Sequence, residues 1–142
     1  MQCFRIADAP FDITSLRQHL LAHQAGAYAS FEGWVRDNND GRSVIALTYE
    51  SYPSLAEAEG NKVIDEAKAR FAILEAACVH RVGRLELGEL AVWVGVSAAH
   101  RDSAFAACSW IIDEVKSRVP IWKHEHYAEG DAEWLHPPTG VA

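Results

Sequence analysis

Apolar residues recur along the chain with two different periods, and the switches between them lay out the elements. After Asp12 and Thr14, either of which suits a helix cap, Leu16, Leu20 and His23 fall three or four residues apart. They predict a first helix that ends before Gly26. From residue 26 to 36 the period becomes two: Ala27, Ala29, Phe31, Gly33 and Val35 alternate with Tyr28, Ser30, Glu32, Trp34 and Arg36, as on a strand. The turn cluster 37–41 and a β-rich run over 43–50 follow, so the two runs read as an antiparallel hairpin with a long loop.

Pro53 and the Ser54/Glu57 spacing of a capping box predict a second helix, with Leu55, Ile64, Ala67 and Phe71 on its apolar face and Gly60 as its weak point. Strands are expected over 77–84 and 90–97 around the turn 86–89, with Gly83 and Gly88 as turn or bulge residues. A third helix starts near Asp102 and runs to Val119, where Pro120 stops it. Its stripe is Phe105, Cys108, Ile112, Val115 and Val119. The last strand covers 121–127. Strand pairs separated by single helices predict an α+β fold with antiparallel sheet and three main helices, not a doubly wound one.

Composition narrows the class. The 142 residues carry no repeat or linker and read as one domain over 1–142, with a Pro/Gly-rich tail, about 136–142, expected to fray. At 49% hydrophobic and 23% charged residues, the chain has the balance of a soluble globular protein. No apolar run approaches the roughly 20 residues of a membrane span. The N-terminal residues lack a basic flank and apolar stretch, so a cytoplasmic protein is expected. A net charge of −7 argues against nucleic acid as partner. Cys3, Cys78 and Cys108 contain no C-x-x-C pair and read as buried thiols.

Candidate chemistry concentrates where the third helix meets the last strand. Lys116 lies one turn after Ile112, and Lys123 shares a strand face with Ile121, Glu125 and Tyr127. A chain that reverses at Pro120 brings both ammonium groups toward one pocket. Lysines in a partly dry site serve as acids, bases or nucleophiles, although cations in a last helical turn also simply offset the macrodipole. His100 and Arg101 precede a helix N-terminus, a suitable place for an anion or an exposed loop. Arg36 ends its strand as a third candidate phosphate ligand or a solvated residue. His124-x-His126 sets two imidazoles on one strand face, short of a metal-ligand set. No P-loop, G-x-G-x-x-G or G-x-S-x-G occurs.

Three segments together, FEGWVRDNNDGRSVIALTYESYPSLAE, HRVGRLELGELAVWVGVSAAHRDSAF and KSRVPIWKHE, resemble the large, catalytic subunit of molybdopterin synthase over residues 26 to 134. The resemblance implies an α/β-hammerhead fold with antiparallel sheet. It implies a sulfurtransferase that converts cyclic pyranopterin monophosphate to the molybdopterin dithiolene in molybdenum cofactor biosynthesis. The sulfur comes from the C-terminal Gly-Gly thiocarboxylate of a small ubiquitin-like partner, and the large subunits form a homodimer with one small subunit at each end. No cofactor and no protein-bound metal are implied. Lys116 and Lys123 match the family's catalytic lysines, while Arg36, His100 and Arg101 match its substrate pocket. Phe31, Ile112 and Glu125 match positions lining the pocket or the partner's tail.

Two features depart from the family's pattern. Trp34 stands where many members carry lysine, and no Lys or Arg follows Lys123, which leaves His136 as the candidate for a tail contribution. A non-catalytic scaffold for a ubiquitin-like tail and an unrelated phosphate-binding enzyme are the competing readings; fold alone does not separate them.

Overall fold

A computed structural model describes residues 3–128 and 133–135. In chain order the elements are β1 (Phe4–Ala7), α1 (Ile13–Gln18), β2 (Ala27–Trp34), β3 (Asn38–Asn39), β4 (Arg42–Ser51), α2 (Pro53–Arg70), β5 (Glu75–Arg81), β6 (Gly83–Glu86), β7 (Leu90–Ala98), α3 (Arg101–Arg118), β8 (Ile121–Tyr127) and β9 (Glu133–Leu135). The first sheet has the order β1-β5-β7-β2; the second runs β3-β4-β8-β9, with β6 also paired to β4. Every pairing is antiparallel except β1 with β5. The expected α+β class with three helices and predominantly antiparallel sheet therefore holds. His136 and the tail 136–142 lie outside the described residues.

β7 is the strand around which the first sheet forms. Ala91 to Ala98 are buried on both faces, so it needs a neighbour on each side and a layer above and below. β2 and β5 supply the neighbours. α2 and α3 cover the face carrying Ala76, Cys78, Val92, Val94 and Val96, while Leu20, Val79 and Trp93 build a smaller cluster on the other face.

This demand for partners overturns the hairpin expected between the runs at 26–36 and 43–50. β2 pairs with β7 and β4 pairs with β6 and β8, so the two runs belong to different sheets. The turn cluster instead makes a tight β3–β4 hairpin through Asp40 and Gly41, both with positive φ. Alternation marks a strand but does not say which partner buries it.

Both long helices start differently from expectation. Tyr52, not Ser54, is the N-cap of α2, with Pro53 as its first residue and no side-chain cap bond. Glu57 turns away from the helix start: its Oε2 accepts a hydrogen bond from the Ile6 amide at 3.1 Å. Asn61 Oδ1 likewise accepts from the Cys3 and Phe4 amides. These polar residues of α2 satisfy the open edge of β1, which a buried backbone requires. Leu55 is 58% exposed, and the buried face comprises Ala56, Gly60, Val63, Ile64 and Ala67. In α3 the cap residue is His100, with Asp102 in the first turn. Phe105 is 63% exposed and drops out of the expected stripe, which Ala104, Ala107 and Ile111 complete. α1 stops at Gln18, which leaves Leu20 to pack beneath Trp93.

Gly60 is a packing contact and not the defect its helix propensity suggests. A Cβ there would run into the Phe4 ring, itself fully buried. Gly60→Ala should lower stability by about 1–3 kcal/mol through overpacking, against the gain of up to ~1 kcal/mol expected of alanine in an open helix. Urea unfolding midpoints measure the sign directly.

Candidate active site

The two sheets meet at a ring contact. Cys78 and Ala76 of β5 face the helices, and the same alternation turns His80 to that side at the strand's end. Its imidazole lies edge-on to Tyr49 of β4, with ring centroids 4.9 Å apart and planes at 78°. Tyr49 in turn stands in register with Lys123 of β8 on one side and with Gly83 of β6 on the other. Gly83, at φ 92°, lets the chain leave β5 and enter the second sheet within two residues.

Four of the groups singled out by sequence lie on α3 and on β8, the strand paired with β4. Lys116, in the last turn of α3, is exposed, and its charge acts on the His80 ring. Lys123 is half-buried, with Nζ 3.7 Å from Glu125 Oε1. Glu125 is 2% exposed, and its Oε2 has no hydrogen-bond partner. Ile112 is buried one turn before Lys116. The reversal at Pro120 takes two residues, with the Ile121 amide bonded to the Val119 carbonyl at 2.9 Å. Arg118 anchors the same helical turn by hydrogen bonds to Glu59 and Glu66 of α2 and Glu114 of α3.

Electrostatics sort the protonation states. Burial and the Glu125 charge push the Tyr49 phenol up to about 12, so it keeps its proton. Burial pulls His80 down to about 4, against the raising effect of its hydrogen bond to the Arg81 carbonyl. Tyr49 and His80 are thus neutral side chains next to Lys123 and the buried Glu125 carboxylate.

The remaining candidates lie elsewhere in the chain. Arg36 is exposed just past β2, beside the cluster of Val35, Leu47, Leu85 and Tyr127, at the end of the molecule where α3 finishes. Phe31, 36% exposed, shares with Ala29 the face of β2 that α3 covers. His100 and Arg101 are exposed at the opposite end of α3. With a rise of 1.5 Å per residue, about 22 Å of helix separates Arg101 from Lys116, so one phosphate group does not touch both within one chain. Trp34 is exposed and donates from Nε1 to Glu32 Oε1 at 3.0 Å.

Sequence reasoning passed over His80 and Tyr49. The available signal was a histidine at an inward position of an otherwise small, apolar strand, Ala76-Ala77-Cys78-Val79-His80. For Tyr49 no local signal existed, because its importance comes from cross-strand register. His124 and His126 stack at 4.8 Å, and His126 Nε2 lies 2.8 Å from Thr48 Oγ1. Among the described residues no group of three or more His, Cys, Asp or Glu side chains is placed to hold a metal ion. Cys78 and Cys108 are buried as expected, and burial raises the Cys108 thiol to about 11, whereas Cys3 is only partly buried. No helix among the described residues is long and apolar enough to cross a membrane.

Residues 6–118 match the family model described as MoaE protein. The molybdopterin synthase catalytic subunit of Thermoplasma volcanium is 50% identical over 110 residues, covering 78% of this chain and 80% of that protein. The chain belongs to the molybdopterin synthase catalytic subunit family. A second relative of that name, from Pyrococcus abyssi, is 46% identical over 85% of this chain and 82% of its own. The crystal structure of molybdopterin synthase from Staphylococcus aureus superposes with a TM-score of 0.90 at 31% identity, covering 96% of this chain and 99% of that one. A complex of subunits 1 and 2 of the molybdopterin-converting factor from Helicobacter pylori shares the fold, with a TM-score of 0.75 at 18% identity.

The buried imidazole generates a pH prediction. The unfolded chain protonates His80 near pH 6.5, whereas the folded chain holds it neutral down to about pH 4. The unfolded state therefore binds more protons across that window, and stability falls as pH is lowered through it. The loss is on the order of 3 kcal/mol and is complete below pH 4. Urea unfolding at pH 7 and at pH 4.5 should show wild-type protein losing this stability relative to His80→Gln, which carries no titratable ring.

Proposed function

We propose that the chain is the sulfur-transferring subunit of a molybdopterin synthase, acting in the cytoplasm on cyclic pyranopterin monophosphate. What supports this reading above all, in a chain of this family, is that Lys123 stands in register beside Tyr49, whose ring touches the His80 imidazole on which the Lys116 charge acts. The sulfur arrives as the thiocarboxylate at the C-terminal Gly-Gly of a small ubiquitin-like subunit; that the Helicobacter pylori structure of the same fold is a complex of two subunits of the molybdopterin-converting factor supports a second subunit. Phe31, on the strand face beneath α3, and Ile112 give the tail an apolar channel toward the lysines.

The chemistry follows from where charge develops. Attack on the substrate by the partner's thiocarboxylate sulfur, and hydrolysis of the resulting thioester, pass through species that carry negative charge on sulfur or oxygen. Opening the cyclic phosphate develops negative charge as well. Lys116, exposed to the pocket on a fixed helical turn, stabilises that charge and exchanges a proton at the transferring sulfur. Lys123 binds the substrate anion and compensates its charge, with the buried Glu125 carboxylate holding the ammonium in place. A local group of cations also draws an anionic substrate to a chain whose overall charge repels it.

Arg36 serves the phosphate from the same end of the chain. His100 and Arg101 serve it from a second copy: the length of α3 keeps them from the Lys116 pocket of their own chain, and a two-fold homodimer gives each pocket the neighbour's α3 start.

With thiocarboxylated partner and cyclic pyranopterin monophosphate, the chain should form dithiolene product, and the same partner ending in an ordinary carboxylate should give none. Lys116→Ala should lower turnover by about 100-fold or more. Tight partner binding without thiocarboxylate-dependent product would favour the scaffold reading. Mixing Lys116→Ala with Arg101→Ala chains should restore activity to about a quarter of the wild-type pockets, since half the dimers are mixed and each holds one intact pocket. No recovery on mixing would contradict a role in trans.

A further inference from the structure

No step of the proposed chemistry uses the His80 side chain, yet its ring lies where the two sheets meet. Its Nδ1 is 2.7 Å from the Arg81 carbonyl oxygen. A carbonyl only accepts, so Nδ1 carries the proton, and in a neutral imidazole Nε2 then carries the lone pair. Burial at 6% exposure keeps the ring neutral. Tyr49 fixes the ring plane from one side, and β5 fixes its origin. Among the described residues Nε2 makes no hydrogen bond, and the ammonium acting on the ring is that of Lys116. The structure thus contains a rigid, uncharged acceptor on the strand face that the helices cover, within electrostatic range of Lys116, an exposed lysine in the last turn of α3.

We propose that His80 is a positioning residue for Lys116, accepting a hydrogen bond from the ammonium on its Nε2 lone pair when the pocket is filled and so aiming the remaining N–H bonds at the transferring sulfur. An acidic partner in this place would tie Lys116 into an ion pair; a neutral acceptor directs it without cancelling the charge that the reaction needs. The bond tightens as the substrate closes the site, as hydrogen bonds of catalytic groups commonly do. This inference rests on Lys116 being the catalytic cation, but its structural half is testable without turnover.

Two substitutions separate the two ring nitrogens. His80→Gln can place an amide oxygen near the position of Nε2 and keeps the acceptor; His80→Asn can keep a donor near Nδ1 and loses the acceptor. Asparagine should lower kcat by about tenfold or more with KM little changed, whereas glutamine should stay within about threefold of wild type. Equal losses in both variants, or no loss in asparagine, would overturn the proposal. The same contact is readable in the wild-type fold by 15N NMR of the histidine rings with substrate bound. The His80 Nε2 resonance should be that of an unprotonated nitrogen and should move toward the position of a free acceptor in Lys116→Met. An Nε2 signal that ignores Lys116→Met would overturn the proposal whatever the activity. A responsive signal in a protein that forms no product would uphold the contact and reject the sulfur-transfer reading instead.

Discussion

The edge-on contact between His80 and Tyr49 joins the two sheets, and the site's geometry follows from it. β5 belongs to the sheet that packs under α2 and α3, and β4 belongs to the sheet that carries Lys123 and Glu125. The contact fixes the sheet beneath α3 relative to the sheet that carries β8. A buried aromatic pair supplies area and preferred geometry, and Gly83 lets the chain pass between the sheets immediately beside it. Arg118 and its three carboxylates then hold the last turn of α3 against α2, so that Lys116 leaves from a fixed backbone.

The polar groups around Tyr49 and His80 balance desolvation against charge. Lys123 is half-buried, and its ammonium needs a compensating charge close by. Glu125 supplies it, but it is buried with one oxygen unpartnered, which is costly without nearby positive charge. The neutral imidazole and phenol add dipoles and no further charge. The chain as a whole carries a net charge of −7, so an anion approaching it is repelled at long range and is attracted only within about a Debye length of its lysines.

Elements with a strong period were legible in the sequence. β8 coincides with residues 121–127, and the third helix differs by a residue at each end. Lys123 and Glu125 share a face because a strand's period is two, and Lys116 follows Ile112 because a helix's is near four. Partners were not legible. Nothing local in residues 26–50 says that β2 and β4 enter different sheets, because that choice is made by β7, forty residues later, through its need for cover on both faces. The same limit hid Tyr49, whose place beside Lys123 is a matter of register, and hid the polar service that Glu57 and Asn61 give to β1. The roles of Arg36, His100 and Arg101 are what the resemblance to the family implies; the length of α3 separates His100 and Arg101 from Lys116 within a single chain.

The chain has only four lysines, and that makes the central claim, one pocket shared by Lys116 and Lys123, open to direct observation. Lysine labelled with 13C at Cε gives four signals, with Lys62 and Lys68 on α2 as internal references. On titration with cyclic pyranopterin monophosphate, the Lys116 and Lys123 signals should move together along one saturation curve while the two reference signals stay in place. Separate curves for Lys116 and Lys123, or movement of only one of them, would contradict a common site.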